Sequence, residues 1–188
     1  MSDSLLTKES PKYKGWKVTR EEYLSLPDDG FVYDMIDGVL VLSPSGFFDH
    51  GSLASRFGYF LQSFLERIPV GQMTTETDMF LPDGGDVLRP DISFILKENL
   101  SIVKGHIHGV PDLVCEVLSD FTRDRDLGVK AYRYLLNGVR EYWIVDPKAK
   151  VIFLWINRDK REWEKRSATV LESELVKGFS VKREEMFS

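Results

Sequence analysis

The most constraining stretch of the chain is Pro111-Asp112-Leu113-Val114-Cys115-Glu116-Val117-Leu118-Ser119, an apolar, β-branched run with a carboxylate near its middle. A run of this length and composition reads as a strand buried on both faces. Burying an ionised carboxylate without a partner costs roughly several kcal/mol, so Glu116 needs a cation, a metal or hydrogen-bond donors. Side chains alternate along a strand, which puts Val114, Glu116 and Leu118 on one face and Cys115 and Val117 on the other. Upstream, Arg89-Pro90-Asp91-Ile92-Ser93-Phe94-Ile95 is a second short apolar run that opens with an acid. Downstream, Asp126-Leu127-Gly128-Val129-Lys130 opens a helix. Two acids on adjacent strands and a lysine on the next helix form the constellation around which the rest is read.

Other signals give the surrounding elements. Thr19-Arg20-Glu21-Glu22 is a capping-box pattern and predicts a short helix that Pro27 stops. Asp37-Gly38 between Val32–Ile36 and Val39–Leu42 is the strongest short-range hairpin signal, ended by Ser43-Pro44-Ser45-Gly46. Leu53, Phe57, Phe60, Leu61, Phe64 and Leu65 fall at helical spacing between His50 and Arg67. Strands are predicted over 73–81 and 88–96, with a polar connection over 97–110. A helix should run to about Leu136, ended by Asn137-Gly138. A hairpin over 141–146 and 151–156, a short strand over 162–166 and a closing strand and turn complete an α/β (α+β) domain with one mixed central sheet.

Length and composition bound the class. A chain of 188 residues, 43% hydrophobic and 29% charged, has the profile of one globular domain rather than a disordered chain. The reading is a loose N-terminal arm over 1–15 and a single domain over 16–188. No apolar run approaches the roughly 20 residues that span a bilayer, and the start lacks a signal-peptide core, so a cytoplasmic protein without membrane contact is expected. Cys115, the single cysteine, reads as inert packing. Net charge is -5, unevenly spread: Phe121–Arg166 holds 12 Lys+Arg against 7 Asp+Glu, leaving 13 against 23 elsewhere. A basic segment beside an acidic site suits a metal-dependent enzyme acting on a polyanion, and it equally suits a solvated charged surface.

Phosphodiester hydrolysis needs a divalent metal to activate water and neutralise developing charge, and Mg²⁺ prefers carboxylate and carbonyl oxygens. Asp91 and Glu116 supply them. On a helical wheel Leu127, Ala131, Tyr134 and Leu135 form the apolar stripe, and Lys130 lies at its edge, from where it reaches the strand ends.

These blocks, with Gly138-Val139-Arg140-Glu141-Tyr142-Trp143-Ile144-Val145-Asp146-Pro147, Tyr33-Asp34-Met35-Ile36-Asp37-Gly38, Ser43-Pro44, His50 and Gly178-Phe179, resemble the Uma-two family of restriction-endonuclease-like proteins, a branch of the PD-(D/E)xK nuclease superfamily. The resemblance implies a restriction-endonuclease-like mixed sheet flanked by helices. It implies a site in which Asp91, Glu116 and Lys130 are catalytic and Mg²⁺ (or Mn²⁺) is held by Asp91, Glu116 and the main-chain carbonyl of Val117. Asp34 stands where relatives commonly carry glutamate and is a candidate third acidic ligand. The chain departs from the superfamily pattern at Leu118, where a lysine is expected; either Lys130 replaces it or activity has been lost.

The readings are therefore a metal-dependent nuclease acting on DNA, with a homodimer expected because paired sites suit a two-fold duplex, or a nuclease-derived binding or structural module without catalysis. His50, Asp112 and Ser119 are candidate neighbours of the site. Asp112 and Asp126 also read as strand and helix caps. His106 and His108 lack the clustered ligands of a zinc site. Glu141, Tyr142 and Trp143 read as a half-buried strand, and Phe47 and Phe48 as a loop wedge or a staple on the following helix.

Overall fold

The computed structural model describes residues 10–43, 46–82 and 85–188. Helix α1 (Arg20–Ser25) starts at the expected capping box: Glu22 N donates to Thr19 Oγ1 and Thr19 N to Glu22 Oε2. Strands β1 (Val32–Ile36) and β2 (Val39–Ser43) form the hairpin, and Asp37 (φ 51°) and Gly38 (φ 74°) both take the left-handed conformation that a type I′ turn requires. Pro44 and Ser45, expected to end the hairpin, lie outside the described residues. Of the arm 1–15, the described part is pinned to this hairpin region: Lys12 N donates to Asp29 and Gly15 N to Leu40 O.

Helix α2 (Phe48–Arg67) buries Leu53, Phe57, Leu61, Phe64 and Leu65, the predicted apolar face. The two runs predicted as continuous strands are each split. The first becomes β3 (Gly71–Thr75) and β4 (Met79–Phe80), parted by Glu76 with φ 46°. The second becomes β5 (Val87–Leu88) and β6 (Ile92–Leu96), parted at Arg89-Pro90-Asp91, because proline offers no ladder donor and restricts the residue before it. The polar connection 97–110 contains a 3₁₀ turn and two further strands, β7 (Val103–Lys104) and β8 (His106–His108). Three alternating residues are too few to declare a strand from sequence.

Strand β9 (Leu113–Val117) leads into a helical run of three pieces: α3 (Arg123–Arg125), a π-turn over Asp126–Lys130 and α4 (Ala131–Asn137). Gly138, at φ 96°, caps it. Strands β10 (Glu141–Asp146), β11 (Val151–Asn157) and β12 (Trp163–Ser167) form a meander, followed by a ribbon of β13 (Val170–Glu172) and β14 (Ser180–Lys182) and helix α5 (Arg183–Met186).

The central sheet has the order β12-β11-β10-β9-β6-β3. Only β9 and β10 are parallel, joined by the helical run as a crossover; the other pairs are antiparallel, giving the expected mixed sheet. Cys115 and Val117 face the core under α2 with Phe57, Leu61 and Trp143. Val114 and Leu118 face the opposite core with Tyr134, Tyr142 and Ile144, which puts Glu116 on that side. A second sheet, of order β2-β1-β5-β4-β8-β7, was not foreseen. Both split strands feed one half to each sheet, so the breaks at Glu76 and Asp91 mark the seam between the sheets. The candidate site lies on that seam.

Candidate functional site

A cleft of about 560 Å³ opens between the end of β9, the start of α2, the π-turn and the seam, with Asp91, Glu116, Lys130, His50, Arg89 and Arg125 among its lining residues. The two acids are brought together by main-chain bonds that run both ways. Asp91 Oδ2 accepts from Val117 N at 2.6 Å, and Asp91 N donates to Glu116 Oε2 at 3.3 Å. Proline at 90 breaks the strand just before Asp91, which therefore lies at the strand break beside the cleft.

Glu116 is buried and partnered. Lys130 Nζ lies 2.5 Å from its Oε1, and Tyr134 OH donates to the same oxygen at 2.7 Å. Lys130 also approaches Asp126 Oδ1 at 3.5 Å. Burial works against the Lys130 ammonium, but Glu116, Asp34 and Asp126 outweigh it and hold the group above the usual lysine range. Burial drives the Glu116 carboxyl up, with Asp126 and Asp91 adding to the rise and Lys130 opposing it. Asp126 is likewise raised by burial. The lysine thus reaches Glu116 directly, as its place at the edge of the apolar stripe suggested; no direct contact with Asp91 is made.

His50, on the first turn of α2, places Nε2 3.2 Å from Asp91 Oδ2, and this hydrogen bond raises its pKa against the effect of burial. Ser119 lines the cleft margin, where its Oγ shares a hydrogen bond with Thr122 Oγ1 and accepts from Thr122 N, capping the turn into α3. Asp112 is not brought to the site. It stands at the opposite end of β9, where it accepts from Leu96 N and Asn99 Nδ2 and clamps the strand start. Asp34 does not line the cleft: its Oδ1 accepts from Arg89 N at 2.8 Å, and its Oδ2, 3.6 Å from Arg125 Nη2, has no hydrogen-bond partner. Among the described residues no group of three or more His, Cys, Asp or Glu side chains converges at metal-ligand spacing. Glu76, Asp126, Ser119 and Thr122 also line the cleft, but the two acids bonded across it are Asp91 and Glu116, with Val117 beside them.

Four residues were missed. Asp126, read as a cap, is buried against Lys130; the four-residue spacing of the two was the available signal. Tyr134, one turn beyond Lys130, was assigned to packing, yet its hydroxyl reaches Glu116. Arg89 and Arg125 supply cations to the cleft wall, and Arg125 Nη1 also donates to Leu42 O. Several arginines of the basic segment are paired with acids. Arg123 pairs with Asp146, Arg133 with Asp37 and Asp86, and Arg158 and Arg166 with Glu164 and Glu174. Phe47 and Phe48 staple nothing: both are exposed. His106 and His108 flank Phe80, with the His108 ring stacked on it at 5.1 Å and 11°.

The fold is shared with a solved chain described as a "putative nuclease belonging to DUF820" from Anabaena variabilis ATCC 29413: TM-score 0.77 at 17% identity, covering 90% of this chain and 97% of that one. The mixed α/β architecture is thus common to the two chains. Residues 20–183 match the Uma2 family model, described as "Putative restriction endonuclease", and the chain belongs to that family. No curated protein matches the sequence. Among the described residues no helix is long and apolar enough to cross a membrane.

Proposed function

We propose that the chain is a Mg²⁺ (or Mn²⁺)-dependent nuclease that hydrolyses phosphodiester bonds of DNA. The observation that carries this reading is the meeting of Asp91, Glu116 and the Lys130 ammonium in one cleft, although the strand itself carries Leu118. Two carboxylates with a neighbouring carbonyl form an all-oxygen donor set of the kind Mg²⁺ uses, since Mg²⁺ retains several waters and takes only one or two protein carboxylates. When bound, the metal would activate water and neutralise charge on the phosphate. Asp91, Glu116 and the Val117 carbonyl would hold it. Asp34, committed to Arg89 N and near Arg125, supports the cations of the cleft wall instead of serving as a ligand. Lys130 presents a fixed positive charge beside Glu116, where it can orient water or stabilise the transition state. His50 restrains Asp91, and Arg89 and Arg125 attract the phosphate. Pairing of two copies belongs to the same proposal; light scattering returning 21.7 kDa rather than twice that mass would remove it.

Incubation with DNA and Mg²⁺ or Mn²⁺, beside a Glu116→Ala control, tests the reading. Cleavage by the wild type alone supports it, and equal cleavage by both proteins exposes contamination. The non-catalytic reading is favoured by a specific observation: Glu116 already has Lys130 and Tyr134 as partners, and Leu118 packs in the core. Calorimetry with both metals separates the two. Metal binding lost in Asp91→Ala supports the enzyme, and silence with both metals supports the module.

A further inference from the structure

Two exposed phenylalanines stand at the rim of the cleft. Phe47 precedes the first residue of α2, between Gly46 and His50, which line the cleft; Phe121 lies between Ser119 and Thr122, which line it too. They come from separate segments, one leading into α2 and one following β9, and the ring centroids are 6.1 Å apart with planes at 36°. The rings are 70% and 73% exposed respectively, and neither belongs to an apolar core. Isolated exposed apolar residues need no explanation, but two large rings converging at the mouth of a polar cleft do.

We propose that Phe47 and Phe121 form a stacking platform for an unpaired nucleobase of the strand whose phosphate occupies the cleft. This rests on the nuclease reading and adds to it a preference for single-stranded or locally opened substrate. The charge arrangement favours a nucleotide: Arg89 and Arg125 stand among the acids of the cleft lining, held in place by Asp78 and Asp34 respectively, and these fixed guanidiniums suit the phosphate while the apolar rings at the rim suit the base. Every base offers a π-face, so such a platform binds without reading sequence. A second copy of the chain fits less well. With Phe48, the patch offers three rings of roughly 150–250 Å² each, together below the roughly 800 Å² that a standard interface takes from each partner.

The test compares a short thymidine oligonucleotide with a fully abasic one of equal length, by fluorescence anisotropy with Ca²⁺ in place of Mg²⁺. The wild type should bind the thymidine strand at least about tenfold more tightly, within the range that base–aromatic stacking supplies. Phe47→Ala and Phe121→Ala should bind both strands as the wild type binds the abasic one, and Phe121→Trp should keep the preference. A preference that survives both alanine changes, or that is absent from a wild type binding both strands, overturns the platform and leaves the nuclease reading standing. Binding of neither strand overturns both. A change of mass in light scattering on Phe121→Ala, with oligonucleotide binding unchanged, assigns the patch to a second copy and overturns the proposal.

Discussion

Lys130 Nζ meets Glu116 Oε1 at 2.5 Å across the gap between a π-turn and the central strand. Leu118 lies on the same strand face as Glu116, two residues on, and packs with Val114 and Tyr134. The cation beside the acid is thus supplied by the crossover helix that links β9 to β10. Strand and crossover must both be in place before the two charges meet.

Removing that ammonium should lower turnover more than metal binding. Lys130→Ala is expected to cut DNA cleavage on the order of 10²-fold, as loss of a preorganised transition-state contact does, with little change in Mg²⁺ affinity by calorimetry. Lys130→Arg should not restore the rate, because a planar guanidinium does not replace a compact point charge. Glu116→Ala should weaken the metal itself. Parallel losses of rate and metal affinity in Lys130→Ala would contradict the positioning role.

Tyr134→Phe removes one donor from the Glu116 carboxylate without changing the packing of the ring. Loss of a hydrogen bond to a charged acceptor is expected to cost about 2 kcal/mol in urea unfolding. A variant as stable as the wild type would show that Lys130 and the Asp91 N–H satisfy Glu116 without the hydroxyl.

Glu141 is a buried acid with a different task. Its carboxylate accepts from Trp143 Nε1, Ser173 Oγ, Glu174 N and Leu175 N at 2.7–3.0 Å, tying the segment between β13 and β14 to the central sheet. Glu141→Ala leaves these donors unpaired and should cost about 3 kcal/mol. Hydrogen exchange at the Glu174 and Leu175 amides should accelerate while the amides of β9 stay protected. Uniform acceleration across the sheet would refute a local tether.

The hairpin at Asp37-Gly38, the buried alternation of β9 and the inward lysine were legible because each rests on local chemistry: a turn needing positive φ, a period of two, a wheel position. The seam between the sheets was not. It depends on where short strands find partners far away in sequence, and β4 and β5 hold two residues each. The π-turn escaped for another reason: its changed hydrogen-bond step leaves the apolar spacing almost helical, so Asp126 read as a cap when it is buried. Glu141 was read as half-buried because its donors lie more than 30 residues downstream, apart from Trp143. Charge counting over 121–166 gave the net charge but not the pairing, because several of its arginines meet acids inside and outside the window.

Asp146 gives the pH dependence a sign. Its hydrogen bond from Arg123, together with the N–H groups of Ala149 and Lys148, holds its carboxyl below the ordinary range despite burial. A folded pKa below the unfolded one means that the stabilisation is complete above about pH 4, the unfolded value, and is lost as pH falls through the folded value. Asp146→Asn should therefore unfold at lower urea than the wild type at pH 7, and the gap should close on acidification. A gap that stays constant down to pH 2 would remove Asp146 from the acid response.

The reciprocal bonds between Asp91 and the end of β9 make the acid pair part of the joinery. Sliding β6 against β9 by one residue would break the bond to Val117 N and the bond to Glu116 together. On the proposed nuclease reading, a relative without hydrolysis would still be held to both acids by its strand alignment. Finding the pair intact in a related chain would then testify to correct assembly, and the cation arriving from the crossover would be the discriminating mark of working chemistry.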